Sequence, residues 1–350
     1  MNQAELTLID KSIEHQLALL RLTASERKTV FAMLNSLKVE LKNKLSNGLT
    51  SFQTKRVNTL LSQTDKIINS QYAEIQKTID LTELAKYEGK NTIAMLGGIG
   101  LDSSLPTAAV FKALASNTLL EGLPLSDWWD RQSTGLRRNF TGQVRLGIAS
   151  NETQQQIITR VFGSKRLGLP GIGFPESTLR RNASTMVHDT IAQITNDARL
   201  ATYKENEDIS NGYYQLSTLD SHTSNICIAY SGMEWDLDYQ PISASGLPFD
   251  SGCPRHPGCR SLILMRLKSF KELGYDIKEP PIGTRASDLG QIKADTSMDG
   301  FLKRHDVAYQ DRVLGKGRAQ LWRDKKITLR DLVDGSGREL TLKELIAGLK

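Results

Sequence analysis

The stretch YYQLSTLD, residues 213–220, is where the pattern of this chain changes. Apolar and polar residues alternate in it, and it is rich in β-formers, so it predicts a strand. RSLILMRL, residues 260–267, is a short apolar run that predicts a second strand. Between the two lie all three cysteines of the chain, Cys227, Cys253 and Cys259, and the sequence CPRHPGCRS at 253–261. Before them, residues 176–205 carry the clearest helical stripe. Leu179, Ala183, Met186, Val187, Ile191, Ile194, Ala198 and Ala201 keep steps of three and four. Residues 176–268 are therefore expected to form a small α+β core, a helix plus a short β element carrying a Cys/His loop.

Further out the pattern is helical. Leu6, Ile9, Ile13, Leu17 and Leu20 begin an apolar stripe, and Thr23 with Glu26 fits a capping box that predicts a second helix start. Asn47-Gly48 marks a break, after which the pattern resumes. Residues 1–96 are expected to be long amphipathic helices, a bundle or an arm that docks on a partner. The glycines Gly97, Gly98 and Gly100 match no phosphate-loop spacing and predict a hinge. Residues 97–175 are expected to be helical, with a helix start at Asn151 and a Gly/Pro-rich loop at 163–175. The adjacent Trp128 and Trp129 cannot both face one helix core.

Residues 269–350 are expected to be a linker, KEPPIGTRASDLGQIKADTSMDG, followed by a basic helical tail with a capping box at Thr341 and Glu344. Residues 301–330 hold nine Lys/Arg against three Asp, a difference of +6 that equals the net charge of the whole chain. The basic excess is thus local. On a continuous helix Arg312, Lys316, Arg323 and Lys326 would share a face, with Tyr309 and Trp322 available to stack. That set is a candidate nucleic-acid clamp, beside the plainer reading of a solvated helix face. The whole chain is expected to be mainly α, with long N-terminal helices, the small α+β core and the basic tail.

At 350 residues, 39% hydrophobic and 24% charged, the composition is that of a globular chain. The sparse, odd cysteine count argues against a secreted disulfide framework. The N-terminal residues have no signal-peptide layout, and the most apolar tract is interrupted by glycine, aspartate and proline, so no membrane segment is expected.

Cys227, Cys253, His256 and Cys259 give C-x25-C-x2-H-x2-C. Three thiolates and an imidazole form a tetrahedral zinc set, and four protein ligands would close the shell, as in a structural site. Beside this stands the reading of three buried thiols with His256-Pro257 shaping a turn. A Cys-His nucleophile lacks an oriented base in the sequence. Asp220, His222 and His256 raise a further alternative, a metal-dependent nuclease or hydrolase. For His188, beside Asp189, the expectation is a hydrogen-bonded or solvated side chain rather than a catalytic one.

The order of these pieces resembles the head morphogenesis proteins similar to phage Mu F. LSTLDSHTSNICIAYSGMEW at 216–235, then HPGCRS at 256–261, follows that family's T-x-D-x-R-T-C-x-x-C-x-x-x-x-G and H-P-x-C-R-C. Thr218, Asp220, Thr223, Cys227 and Gly232 match the first half, and His256, Pro257, Cys259 and Arg260 the second. The segment 309–345 is similar to C-terminal segments of such phage proteins, so the resemblance covers about residues 175–350. His222 stands for the family's Arg, and Ser224 and Ser261 stand for two of its cysteines, while Cys253 is present in the loop. A family metal site would therefore have to use Cys253 here or have been lost. The resemblance implies a minor structural protein of a tailed-phage head, not an enzyme. Its partners would be capsid and portal proteins and packaged DNA, in head assembly, DNA packaging or delivery. It would be made in the host cytoplasm and end inside the virion.

Overall fold

The computed structural model describes residues 3–120, 122–244, 246–276, 278 and 283–349. Helices α1 (Gln3–Gly48), α2 (Thr54–Gln76), α3 (Leu81–Gly97) and α4 (Ala108–Asn117) come first. The short hairpin β1 (Leu119–Leu120) and β2 (Leu123–Pro124) leads into α5 (Leu125–Ala149) and α6 (Gln154–Phe162). A second short hairpin, β3 (Gly163–Ser164) and β4 (Leu169–Pro170), precedes α7 (Glu176–Glu205). Then come β5 (Ser210–Leu216), α8 (Asn225–Ala229), β6 (Glu234–Trp235) and β7 (Leu262–Leu267). After these lie the hairpin β8 (Thr284–Ser287) and β9 (Gly290–Lys293), then α9 (Met298–Leu302), α10 (Val307–Leu314), α11 (Lys316–Arg323) and α12 (Leu342–Gly348). With 60% helix and 10% strand, the chain is mainly α with a small β part.

The chain forms two compact units that interleave in sequence. One comprises 1–20, 81–116 and 191–350, and the other 21–80 and 117–190. The boundaries fall inside α1, just before α3, at the end of α4 and inside α7.

In the second unit α2 packs on α5, and α5 on α6. Leu37, Leu41, Leu45, Phe140, Val144 and Ile157 are wholly buried there. Phe162 touches both Phe140 and Phe174 at ring-centroid distances of 6.0 Å. The Gly/Pro-rich loop at 163–175 contains the β3–β4 hairpin. Of the two tryptophans, Trp129 is buried and Trp128 half-buried, donating from Nε1 to the Leu120 carbonyl at 2.9 Å.

The first unit is organised on a three-stranded antiparallel sheet in the order β6–β5–β7. Strand alternation sends side chains to two faces. Tyr214 and Leu216 of β5, with Leu262 and Leu264 of β7, meet Leu6, Ile9 and Ile13 of α1. Tyr213, Ile263 and Met265 point into a larger core with Trp235, Phe249, Phe301 and Leu332. Both faces are covered, which is why β5 is buried along nearly its whole length. At Gly212 the pairing shifts register, φ is 118°, and a Cβ would overlap the Trp235 carbonyl oxygen. Only glycine fits this bulge.

A buried ionic triad joins three helices in this unit. Glu88 of α3 accepts from Arg199 of α7 at 2.8 and 2.5 Å and pairs with His15 of α1 at 2.6 Å. All three side chains are buried. Burial alone would raise the Glu88 carboxyl, but Arg199 and His15 hold it below its ordinary value of 4.5.

Several expectations are corrected. No second helix starts at Thr23, because α1 runs unbroken for 46 residues and Thr23 is buried within it. The cap before α6 is Thr153 with Gln156, a complete capping box, rather than Asn151. The segment expected to be a linker contains the β8–β9 hairpin, although residues 279–282 lie outside the described ones. The basic tail is not one helix: Gly315, with φ 81°, separates α10 from α11. The cap at Thr341 and Glu344 is present as expected.

Replacing Glu88 by Ala leaves Arg199 buried and unpaired, so denaturant unfolding at neutral pH should show a loss of about 3–5 kcal/mol. The Glu88 carboxyl is depressed in the folded state, so its contribution is full above its ordinary value of 4.5 and fades as pH falls below it. The wild-type and Glu88→Ala stabilities should therefore converge in acid. A constant gap between them would contradict this account of the triad.

Candidate metal centre

The sequence HPGC at 256–259 forms a tight turn. Pro257 occupies its second position, and Gly258 takes φ 75° at its third, where L side chains are strained. The Cys259 N–H donates to the His256 carbonyl at 3.0 Å and closes the turn. His256 and Cys259 are thereby presented together. Cys227 arrives from α8, whose N-cap is Ser224, with its hydroxyl oxygen accepting from the Cys227 N–H at 3.2 Å.

The ligand atoms of Cys227, His256 and Cys259 all lie within 4.8 Å of one another, so the three form a group that could hold a metal ion. Cys227 Sγ is 3.5 Å from Cys259 Sγ and 3.2 Å from His256 Nε2. Tetrahedral coordination with metal–sulfur bonds of about 2.3 Å and metal–nitrogen bonds of about 2.0 Å needs separations of about 3.8 and about 3.5 Å. A few tenths of an ångström of opening would admit an ion. His256 Nδ1 lies 2.9 Å from the Pro257 carbonyl, an acceptor only, so Nδ1 carries the proton and Nε2 presents its lone pair to the sulfurs. Ser224 Oγ lies 2.7 Å from Nε2, at the edge of the group.

The thiols divide their roles. Hydrogen bonds from Cys227 and then Cys253 stabilise a thiolate at Cys259 and hold it well below its ordinary value. The bond to Cys259 and then burial push Cys227 up. Burial first, then its bond to Cys259, pushes Cys253 up. Cys253, grouped with the other three by sequence, lies beside Cys259 and outside the mutually close group. Cys259 is 1% exposed, which suits a ligand and not a nucleophile that must meet a substrate.

Polar contacts fix this centre to the sheet. Ser217, following β5, donates to the Cys227 carbonyl at 2.7 Å. Ser217 Oγ also lies 3.1 Å from Gln215 Nε2 and 3.2 Å from Ser261 Oγ. Arg255 donates to Gln215 Oε1 at 2.5 Å, and its guanidinium lies 3.6 Å from the centroid of the Tyr230 ring. Arg260 grips Asp220 with two bonds, at 2.6 and 2.7 Å. Burial would raise the Asp220 carboxyl, and Arg260 outweighs it and holds the carboxyl low. Asp220 also receives the His222 backbone N–H at 2.9 Å and the Thr223 hydroxyl at 3.2 Å, and Thr223 donates to the Thr218 carbonyl at 2.7 Å.

The remaining sequence candidates are placed elsewhere or otherwise used. His222 is exposed, and neither it nor Asp220 belongs to the metal-competent group. His188 Nδ1 lies 2.9 Å from Asp189, the hydrogen-bonded role expected of it. Arg323 pairs with Asp311 at 2.9 Å, Lys326 lies 3.7 Å from Asp324, and Arg312 packs 5.0 Å from the Tyr309 ring centroid. Lys316 is exposed at the start of the next helix. Tyr309 and Trp322 are buried: the Tyr309 hydroxyl donates to Asp288, and Trp322 Nε1 donates to Asp299 at 2.9 Å. They are not available to stack on bases. Ser224 and Ser261, read in the sequence only as replaced cysteines, both contact the Cys227 sulfur. Their place in the family motif was the signal for this.

Comparison with family models, with curated proteins and with solved structures returned no match.

Titration with Co²⁺ under reducing conditions should give one tetrahedral site per chain with a sulfur-to-metal charge-transfer band. Cys259→Ser and His256→Ala should each abolish the band, and Cys253→Ser should leave it. A band lost with Cys253 and retained without His256 would move the site.

Proposed function

We propose that this chain is a minor structural protein of a tailed-phage head, whose α+β core is pinned by one structural zinc on Cys227, His256 and Cys259. What supports this reading is that the two halves of the motif, 29 residues apart between Cys227 and His256, fold onto each other. Thr218, Asp220 and Thr223 bond among themselves, Asp220 holds Arg260, and Cys227 meets His256 and Cys259. The residues that carry the resemblance thus form one connected structure rather than scattered coincidences. Thiolate with imidazole suits zinc among the common divalent ions, and burial with backbone anchoring suits a structural site. The ion would supply cross-linking, with one light atom completing its shell beside the three protein ligands; the chain's own residues orient the imidazole.

The nuclease alternative has no observation in its favour. Both oxygens of Asp220 are taken by Arg260. Among the described residues no helix is long and apolar enough to cross a membrane. The carboxylates beside Arg323 and Lys326 weaken a DNA-clamp role for the tail.

The full chain, tagged and produced during phage assembly, should sediment with portal-containing procapsids. The purified protein should leave plasmid DNA intact with Mg²⁺, Mn²⁺ or Zn²⁺. Cleavage abolished by His256→Ala, or a chain that never enters heads, would overturn the proposal.

A further inference from the structure

A groove of about 350 Å³ opens in the first unit beside the metal centre. Ile13, Leu17 and Leu20 of α1 form one wall, and Leu219, Leu262 and Arg285 lie opposite. Its size and mostly apolar lining are those of a small-ligand site. Arg285 is only 4% exposed. Its guanidinium makes one bond, donating to the Ser217 carbonyl at 2.5 Å, and its buried Nε has no partner. Among the described residues no carboxylate pairs with it. Burial pushes its pKa down to about 10, so it remains charged at neutral pH.

The other charges on the groove are already satisfied. Asp220 and Arg260 neutralise each other through two hydrogen bonds. Asp288 accepts from the Tyr309 hydroxyl and lies 3.3 Å from His305 Nε2. What is left over is one buried positive charge facing an apolar space. An uncompensated buried cation is costly, and one neutral carbonyl offsets little of that cost. A structural role for Arg285 would be met by a neutral donor, whereas an anion entering the groove would balance its charge.

We propose that this groove binds a carboxylate carried on an apolar body, with Arg285 holding the carboxylate and the α1 leucines covering the apolar part. The inference is independent of the phage-head reading. The carboxylate can come from a free aliphatic acid or from the end of a peptide, and octanoate and acetyl-Leu-Leu-Leu distinguish the two. Calorimetry on the full chain should show one site for at least one of these acids. Octan-1-ol, or the peptide amide, should bind about tenfold or more weakly, as loss of a charged hydrogen-bond pair implies.

Arg285→Met should weaken the acid by at least about tenfold without lowering the melting temperature, because a buried charge is replaced by an apolar side chain of similar length. Leu17, 45% exposed on α1, gives a second variant in which the fold is safe. Leu17→Asp places a repelling carboxylate at the groove and should also weaken binding. Should Arg285→Met misfold, Leu17→Asp decides. Octanoate binding alone assigns a free acid, and peptide-acid binding alone assigns a chain end. Absence of binding by both acids, equal affinity for acid and alcohol, or undiminished binding in either folded variant overturns the proposal.

Discussion

The contact of His256 and Cys259 with Cys227 closes a loop of 29 residues, and the arrangement around the sheet depends on that closure. Closing such a loop costs about 3 kcal/mol of chain entropy by the logarithmic rule, plus a constant. Hydrogen bonds worth about 1 kcal/mol each offset this only when several act together. They do: Trp235 Nε1 donates to the Leu247 carbonyl at 2.7 Å, Arg255 reaches the Phe249 carbonyl at 3.2 Å, and Arg260 clamps Asp220. The aromatic rings of Tyr239, Phe249 and Trp235 lie within the same loop, and Tyr239 and Phe249 pack on Tyr213 of β5. A metal ion at the cysteines would complete a closure that the rest of the loop has already prepared.

This division of labour explains why so many polar residues are buried near the sheet. Ser217 serves the Cys227 carbonyl through its hydroxyl and the Arg285 guanidinium through its own carbonyl. One residue thereby links the candidate metal centre to the wall of the neighbouring groove. Asp220, with Arg260, borders both as well. Changes at the metal centre and changes in the groove therefore share a short physical route, three residues long.

Much of the local structure was legible in the sequence. The stripe from Leu179 to Ala201 is a helix, and YYQLSTLD and RSLILMRL each contribute a strand, because periodicity reports burial directly. What failed depended on partners remote in sequence. Thr23 and Glu26 have the letters of a cap, but tertiary packing keeps α1 helical through them. The segments TRAS and GQIK are too short and polar to announce a hairpin, yet they pair in register. Tyr309 and Trp322 looked free to stack, and acids at 288 and 299 claim them instead. The spacing grouped Cys227, Cys253, His256 and Cys259, of which Cys227, His256 and Cys259 come together as a group that could hold a metal ion. It could not separate Cys253 from them, because the path of the intervening loop decides which sulfur faces the imidazole.

X-ray absorption at the zinc edge, on protein loaded with one equivalent of zinc under reducing conditions, tests the closure most directly. The account predicts two sulfurs at about 2.3 Å, one imidazole nitrogen at about 2.0 Å and one light atom completing the shell. A shell of three sulfurs, which would bring in Cys253, or a shell of light atoms alone, would contradict it.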